Sequence, residues 1–168
     1  MNNVKAFTLV EILIVVILLG LLAGIVIPTL ADSTSSAKDS ALATNIKLLR
    51  RFILVYKGHH LEVGPGYPDG DTTVAPTEQA LIDQATLSSK SGGQTATVGM
   101  PGFDRGPYMQ KLPVNPFNHK DTVEMLANGQ AFPANADDSH GWIYKADTSE
   151  IRPDNTGTDI NGKNYYDY

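Results

Sequence analysis

The fold of this chain is decided by residues 7–27, which read FTLVEILIVVILLGLLAGIVI. This apolar run is long enough for a bilayer-spanning helix, which needs about 20 apolar residues. It follows a short leader, MNNVKA, and its one charged residue is Glu11. A charge inside a membrane segment costs about 2.5–3.5 kcal/mol on insertion scales, so a chain that keeps one there usually uses it. The run therefore predicts a membrane helix with a functional acid near its start.

The position of the small residue Ala6 separates this segment from an ordinary secretory signal peptide. A signal peptide places its small-residue cleavage site after the apolar stretch, so the stretch is removed with it. Here Ala6 precedes the stretch, and the residues after Ile27 offer no comparable site. The apolar run is therefore predicted to remain in the mature protein.

Residues 5–11, KAFTLVE, resemble the processing and assembly signal of type IV pilins and pseudopilins. The resemblance implies that a membrane-embedded prepilin peptidase cuts between Ala6 and Phe7 and methylates the new Phe7 amine. The family usually has Gly before the cut, and Ala6 departs from it. The resemblance also makes Glu11 an assembly residue, whose carboxylate neutralises the Phe7 ammonium of a neighbouring subunit. Two paired charges are much cheaper to bury than either charge alone. The alternative is an acid that is simply solvated near the membrane surface.

The composition excludes several other functions. The 168 residues carry a net charge of −5 and no basic stripe, so they give no electrostatic case for nucleic-acid binding. Cysteine is absent, and there is no G-x-S-x-G motif, so we predict that the protein is not an enzyme. Adjacent histidines rarely face one site, and the histidines are interpreted as surface or helix-end residues. They are His59, His60, His119 and His140.

The chain is predicted to contain four segments. These are a leader peptide at residues 1–6, a transmembrane and assembly helix at 7–30, an amphipathic continuation of that helix at 31–57, and a periplasmic β-rich domain at 58–168. Pro28 marks either a kink within one helix or a boundary between two, because proline disfavours the interior of a helix.

The amphipathic continuation carries an apolar stripe, whose members recur every three or four positions, as on one face of a helix. The members are Leu42, Ile46, Leu49, Ile53 and Tyr56, with Leu48, Phe52 and Val55 widening the stripe. The whole stripe is expected to be buried in the globular domain.

Beyond Gly58 the turn-rich sequence predicts one short helix and several strands. The helix is expected at 77–87, with Thr77 as its N-cap. Strands are expected at 95–98, 122–126, 142–145 and 150–152. The segments together predict an α+β fold, in which a long N-terminal helix packs on a small antiparallel β-sheet. The resemblance to pilins implies the same architecture.

The C-terminal loop is rich in oxygen ligands. It holds Asp154, Asp159, Asn161 and Asp167, and calcium takes about six to eight oxygens from carboxylates, amides and carbonyls. Major pseudopilins of type II secretion hold calcium in this loop, and the chain resembles them in length and in lacking cysteines, so the resemblance implies a calcium site at these residues. The same composition also fits turn chemistry alone, since Asn, Asp and Gly favour turns. Both interpretations remain open.

The resemblance implies a structural function. The predicted role is a subunit of a type II secretion pseudopilus, which assembles by packing of N-terminal helices and supports export of folded proteins. The implied partners are the prepilin peptidase and methyltransferase, other pilin or pseudopilin subunits, and an inner-membrane assembly platform. The predicted location is the inner membrane, with a single membrane pass, the leader in the cytoplasm and the domain in the periplasm, and then the filament.

Two alternatives to the pseudopilus remain open. The first is a type IV pilin or minor pilin that serves adhesion, motility or DNA uptake. The second is a membrane-anchored binding domain that never polymerises. Glu11 argues against the second alternative, because a simple anchor gains nothing from an acid in its apolar run.

Overall fold

A computed structural model of the chain describes residues 8–168, apart from the side chains of residues 27–33. The first element, α1, is one helix that spans Leu9–His59. Pro28 therefore lies within a helix and does not separate two helices. The chain divides into two compact units between Ala37 and Lys38.

The first unit contains the apolar part of α1. Within it, Leu9–Val26 forms an 18-residue window with a mean hydropathy of 3.1, and none of these residues is buried. The helix is long and apolar enough to cross a membrane, judged by its length and composition. Since an apolar helix exposed on every side is unfavourable in water, this segment requires lipid or neighbouring helices around it.

The second unit buries most of the predicted stripe on α1. Its buried members are Leu42, Ile46, Leu49, Phe52, Ile53 and Tyr56. They share one hydrophobic core with Trp142, Tyr144 and other residues of the domain. The prediction that the buried stripe also includes Leu48 and Val55 is wrong, because these side chains are 45% and 37% exposed. The domain covers an arc of the helix that is too narrow to include both of them.

Residues 8–168 contain five short strands, which form two sheets. They are β1 (Ser88–Ser89), β2 (Thr95–Ala96), β3 (Val123–Leu126), β4 (Trp142–Lys145) and β5 (Glu150–Pro153). β1 pairs antiparallel with β2, and β4 pairs antiparallel with β5. β3 joins β4 in parallel, with Val123 opposite Trp142, which gives the order β3-β4-β5. The predicted α+β fold, a long helix on a small antiparallel sheet, is confirmed. The edge strand β3 confirms the strand predicted at 122–126, but its parallel pairing with β4 was not predicted from the sequence.

The second helix, α2, spans Glu78–Thr86 and confirms the predicted short helix. Thr77 is its N-cap, since the Thr77 hydroxyl accepts a hydrogen bond from the main-chain N–H of Ala80 at 3.2 Å. The Glu78 carboxylate accepts a hydrogen bond from the main-chain N–H of Val123 at 2.7 Å. This bond joins the start of α2 to the first residue of the edge strand β3.

His60 lies just beyond the end of α1, as predicted for a helix-end histidine, and it is buried. Its Nδ1–H donates to the main-chain oxygen of Tyr56 at 2.7 Å, and its Nε2 accepts from the Ser89 hydroxyl at 2.9 Å. The imidazole also stacks on the Tyr56 ring, with the ring centroids 3.7 Å apart. Burial lowers the pKa of His60, because a charged imidazolium would lose its hydration there.

We expect the domain to lose stability when the pH falls below the ordinary histidine pKa of about 6.5. In that range the unfolded chain binds a proton that folded His60 resists, so acid favours unfolding, and the stability is fully present above that range. Urea unfolding of residues 33–168 at about pH 7.5 and about pH 5.5 measures the loss. His60→Gln should reduce this pH dependence, whereas His119→Asn, at an exposed position, should retain it. Equal pH dependence in His60→Gln and the unmodified fragment would contradict the prediction.

Candidate functional site

The predicted assembly residue, Glu11, lies in the first turn of α1. Its Oε2 accepts hydrogen bonds from the main-chain N–H of Thr8 at 2.8 Å and from the Thr8 hydroxyl at 3.0 Å. The Thr8 hydroxyl oxygen in turn accepts a hydrogen bond from the main-chain N–H of Glu11 at 3.2 Å. The two residues form a capping box, in which each side chain satisfies a main-chain N–H of the other.

The capping box leaves Glu11 available for a second partner. Thr8 and Glu11 are both exposed, and the two hydrogen bonds use only Oε2. Within residues 8–168 no donor is bound to Oε1, so a cation has access to that oxygen. Thr8 was not among the predicted site residues, although a Thr three residues before a Glu at the start of an apolar run is the sequence signature of a capping box. The predicted cleavage pair, Ala6 and Phe7, lies outside the described residues.

Asp154, the first of the predicted calcium ligands, is fully buried and is occupied by protein donors. Its carboxylate accepts hydrogen bonds from the main-chain N–H of Asp137 at 3.0 Å and of His140 at 2.8 Å. The Ser139 hydroxyl donates to the same carboxylate at 3.3 Å. Asp154 therefore organises the main chain of residues 137–140, as a buried acceptor for a turn.

The other predicted ligands belong to a separate hydrogen-bond group. The Asp159 carboxylate accepts from the main-chain N–H groups of Asn161 at 2.8 Å and Lys163 at 2.9 Å, and from the Tyr168 hydroxyl at 2.6 Å. These hydrogen bonds stabilise the ionised carboxylate and lower the pKa of Asp159, and the bond from Tyr168 has the largest effect. Asp167 accepts from the Asn164 side chain at 3.2 Å.

The hydrogen bonds of these residues show whether their oxygens are arranged to bind one calcium ion. Asp154 and Asp159 satisfy different turns. In the described part of the chain, no three His, Cys, Asp or Glu side chains are arranged to hold a metal ion. The four residues in this arrangement do not fit one calcium shell, which needs about six to eight converging oxygens. Calcium binding stays a prediction from the sequence.

The C-terminal residues are attached to α1 by direct contacts. The Arg50 guanidinium donates to the main-chain oxygen of Tyr168 at 2.5 Å, and the Tyr165 hydroxyl donates to the Asp39 carboxylate at 2.8 Å. Burial raises the pKa of Tyr165, so its hydroxyl remains a donor at neutral pH. These bonds hold the C-terminal loop in a chain that has no cysteine for a disulfide.

Ser139, His140 and Asp154 lie close together, but their geometry is not that of a nucleophilic triad. The Ser139 hydroxyl lies 2.8 Å from the Nδ1 of His140, its neighbour in the chain, and also donates to Asp154. Asp154 contacts the main-chain N–H of His140 instead of the second nitrogen of its imidazole. The acid therefore cannot orient the imidazole as a general base for the serine.

The N-terminal segment matches a known family, and the whole chain has relatives among characterised proteins. Residues 1–27 match the family described as the prokaryotic N-terminal methylation motif. The chain is 28% identical over 130 residues to the type II secretion system core protein G of Klebsiella pneumoniae, which covers 77% of this chain and 79% of that protein. It is 28% identical over 129 residues to the Pseudomonas aeruginosa protein of the same name, covering 77% and 78%. It is 25% identical over 174 aligned positions to the Vibrio cholerae protein, covering 100% and 97%. No solved structure gives a significant match.

Proposed function

The chain belongs to the type IV pilin and pseudopilin family, and from that premise we propose that it is a structural subunit of a type II secretion pseudopilus. The observation that carries the proposal is the apolar helix Leu9–Val26, which is exposed throughout and is capped by an acid near its start. The resemblance to core proteins G extends well beyond this helix, over about three quarters of the chain. The N-terminal helix is long and apolar enough to anchor the protein in the inner membrane.

The proposed assembly mechanism pairs the Phe7 amine with the Glu11 carboxylate. Cleavage between Ala6 and Phe7 creates an ammonium on Phe7, and its methylation keeps the nitrogen basic. In a bundle of subunits, the Glu11 carboxylate of one subunit pairs with the Phe7 ammonium of another. The open Oε1 of Glu11 gives that ammonium a place to bind without disrupting the capping box with Thr8. The pairing fixes the axial stagger of neighbouring helices, because any other register leaves both charges unpaired in an apolar environment.

The same proposal sets the topology and the partners. The basic Lys5 keeps the leader on the cytoplasmic side, in line with the positive-inside rule, so the domain that follows α1 lies in the periplasm. The processing partner is a prepilin peptidase, and the assembly partners are other pseudopilin subunits and an inner-membrane platform. In this proposal the chain performs no chemistry of its own.

Ala6→Leu is expected to block leader cleavage almost completely. A peptidase pocket that accepts a small side chain before the cut has no room for the isobutyl group of Leu. The measurement is the N-terminal mass of the membrane-extracted protein, which for the unmodified chain should correspond to an N-methylated Phe7.

Ala6→Gly serves as the matched control, because it restores the residue that the family usually has there, and it should be processed at least as well as the unmodified chain. Filaments sheared from cells that overproduce the unmodified chain should contain the processed form only, and Ala6→Leu cells should yield none. Filaments built from a chain that still carries Met1 would contradict the proposed processing. Complete processing with no filament under any condition would favour the membrane-anchored binding domain.

A further inference from the structure

The outer face of α1 in the second unit carries apolar side chains that the domain leaves uncovered. Leu48 and Val55 are 45% and 37% exposed, and Leu54 is 72% exposed. Leu48 and Val55 line a groove of about 430 Å³ whose other wall is the extended segment 107–109. Contiguous apolar surface of this kind is typical of sites that receive a protein partner, whereas apolar residues exposed singly are not.

The groove has a basic edge. Between Lys38 and His60 the sequence has five Lys or Arg residues and a single acid. Lys47 and Arg51 lie beside Leu48 and Val55 on the exposed side of α1. Among the described residues neither of them forms an ion pair or a hydrogen bond with another side chain. Their charges are therefore available to an acidic partner.

A surface of the opposite character exists on the same chain. Residues 137–168 contain seven acids and three basic residues. Of these acids, Asp154 is buried, and Asp147 and Glu150 are in ion pairs with Lys145 and Arg152. In the C-terminal loop, Ile160 is 81% exposed and lies next to Asp159, while Asp167 is exposed nearby in the sequence. The loop thus presents an exposed apolar side chain beside Asp159 and an exposed acid at Asp167, with Lys163 as its one basic residue. The apolar side chain and the exposed acid complement an apolar groove with a basic edge.

The two surfaces lie on different sides of α1. Arg50 donates to the main-chain oxygen of Tyr168 and so marks the side of the helix on which the C-terminal loop is attached. Leu48 is two positions away, which corresponds to about 200° around the helix axis. A subunit therefore cannot fill its own groove with its own loop by a small movement. A contact between two different patches is heterologous, and repeated contacts of this type build an open helical filament.

We propose that the groove formed by Leu48, Val55 and residues 107–109 receives the C-terminal loop around Ile160 from a second copy of this chain. Ile160 enters the apolar groove, and Asp167 of the loop pairs with Arg51 at its edge. The inference rests on the proposed function, because it describes how the globular domains meet in the filament. It is separate from the contact between Glu11 and Phe7, which concerns only the N-terminal helices.

Cysteine cross-linking tests this contact directly, because the native chain has no cysteine. Filaments of a Val55→Cys, Ile160→Cys double variant should give a ladder of disulfide-linked dimers, trimers and longer species after mild oxidation. The matched control is Val55→Cys with Val74→Cys, since Val74 is also apolar and 45% exposed but lies outside the C-terminal loop. A Leu48→Cys, Ile160→Cys variant repeats the test if Val55→Cys lowers expression.

A ladder in the test pair and none in the control pair supports the contact. Filaments at full yield that give no ladder, or equal ladders in both pairs, would overturn it while leaving the proposed function intact. If the unmodified chain forms no filaments at all, the proposed function fails and the contact fails with it.

Charge exchange provides a second, independent measurement. Arg51→Glu should lower filament yield several-fold, because it places an acid against Asp167 of the neighbouring subunit. Arg51→Glu combined with Asp167→Arg should restore the yield. A double variant that assembles no better than Arg51→Glu alone would exclude this pair from the interface.

Discussion

Glu11→Ala is expected to reduce filament yield at least about tenfold, because an ammonium buried without its partner is strongly unfavourable. The variant should still insert and fold, since the domain makes no use of Glu11 and alanine is well tolerated in an apolar helix. Sheared filaments and the membrane fraction of the same cells measure assembly and insertion separately. A normal filament yield would show that the acid is only a solvated group near the membrane surface.

Glu11 caps the start of α1 and is proposed to neutralise the Phe7 ammonium, and Glu11→Gln separates these two roles. A glutamine still accepts a hydrogen bond from the Thr8 main-chain N–H, so it preserves much of the capping box. It has no charge to neutralise the Phe7 ammonium. We therefore expect Glu11→Gln to fail in assembly almost as severely as Glu11→Ala, and Thr8→Val to have a much smaller effect. Normal assembly of Glu11→Gln would indicate that the capping box is what matters.

The N-terminal helix could be predicted from the sequence because its signals are local. The apolar run and its acid are neighbours in the sequence and lie within one continuous helix. The same reasoning wrongly predicted that Leu48 and Val55 are buried, because they belong to the apolar stripe by their spacing but are exposed. Helical periodicity identifies the apolar face of a helix, but the width of the buried arc depends on how much of the domain packs there.

The sheet and the C-terminal loop depend on contacts between distant residues, and the sequence is less informative about them. β1 consists of Ser88 and Ser89, which are not residues typical of strands. β3 pairs in parallel with β4, so that each residue of β3 lies opposite a residue 19 positions later in the chain. In the loop, the abundance of Asp and Asn predicts turns and calcium equally well. Only the structure shows which main-chain N–H groups Asp154 and Asp159 accept from.

The buried carboxylate of Asp154 provides the largest expected effect on stability. Asp154→Ala in the fragment 33–168 removes three half-buried hydrogen bonds and leaves the donors of Asp137, Ser139 and His140 without their acceptor. Since an unsatisfied donor costs about 1–3 kcal/mol, we expect a loss of about 3 kcal/mol in unfolding free energy. This corresponds to a decrease of roughly 10 °C in the melting temperature of a domain of this size. Asp121→Ala, at an exposed position, is the matched control and should change the stability by less than about 0.5 kcal/mol.

The same fragment distinguishes a hydrogen-bonded loop from a calcium-bound one. If Asp154 acts only as an acceptor for main-chain donors, the melting curves in EDTA and in millimolar calcium should superimpose, and Asp154→Ala should be equally destabilising in both. If calcium binds the native fragment, stability should rise by about 2.7 kcal/mol at a hundredfold excess over Kd. An increase of that kind, lost in Asp159→Ala or Asp167→Ala, would restore the calcium site that the resemblance implied. The absence of any increase would mean that Arg50, Tyr165 and the turn hydrogen bonds of the loop are sufficient to hold it against α1.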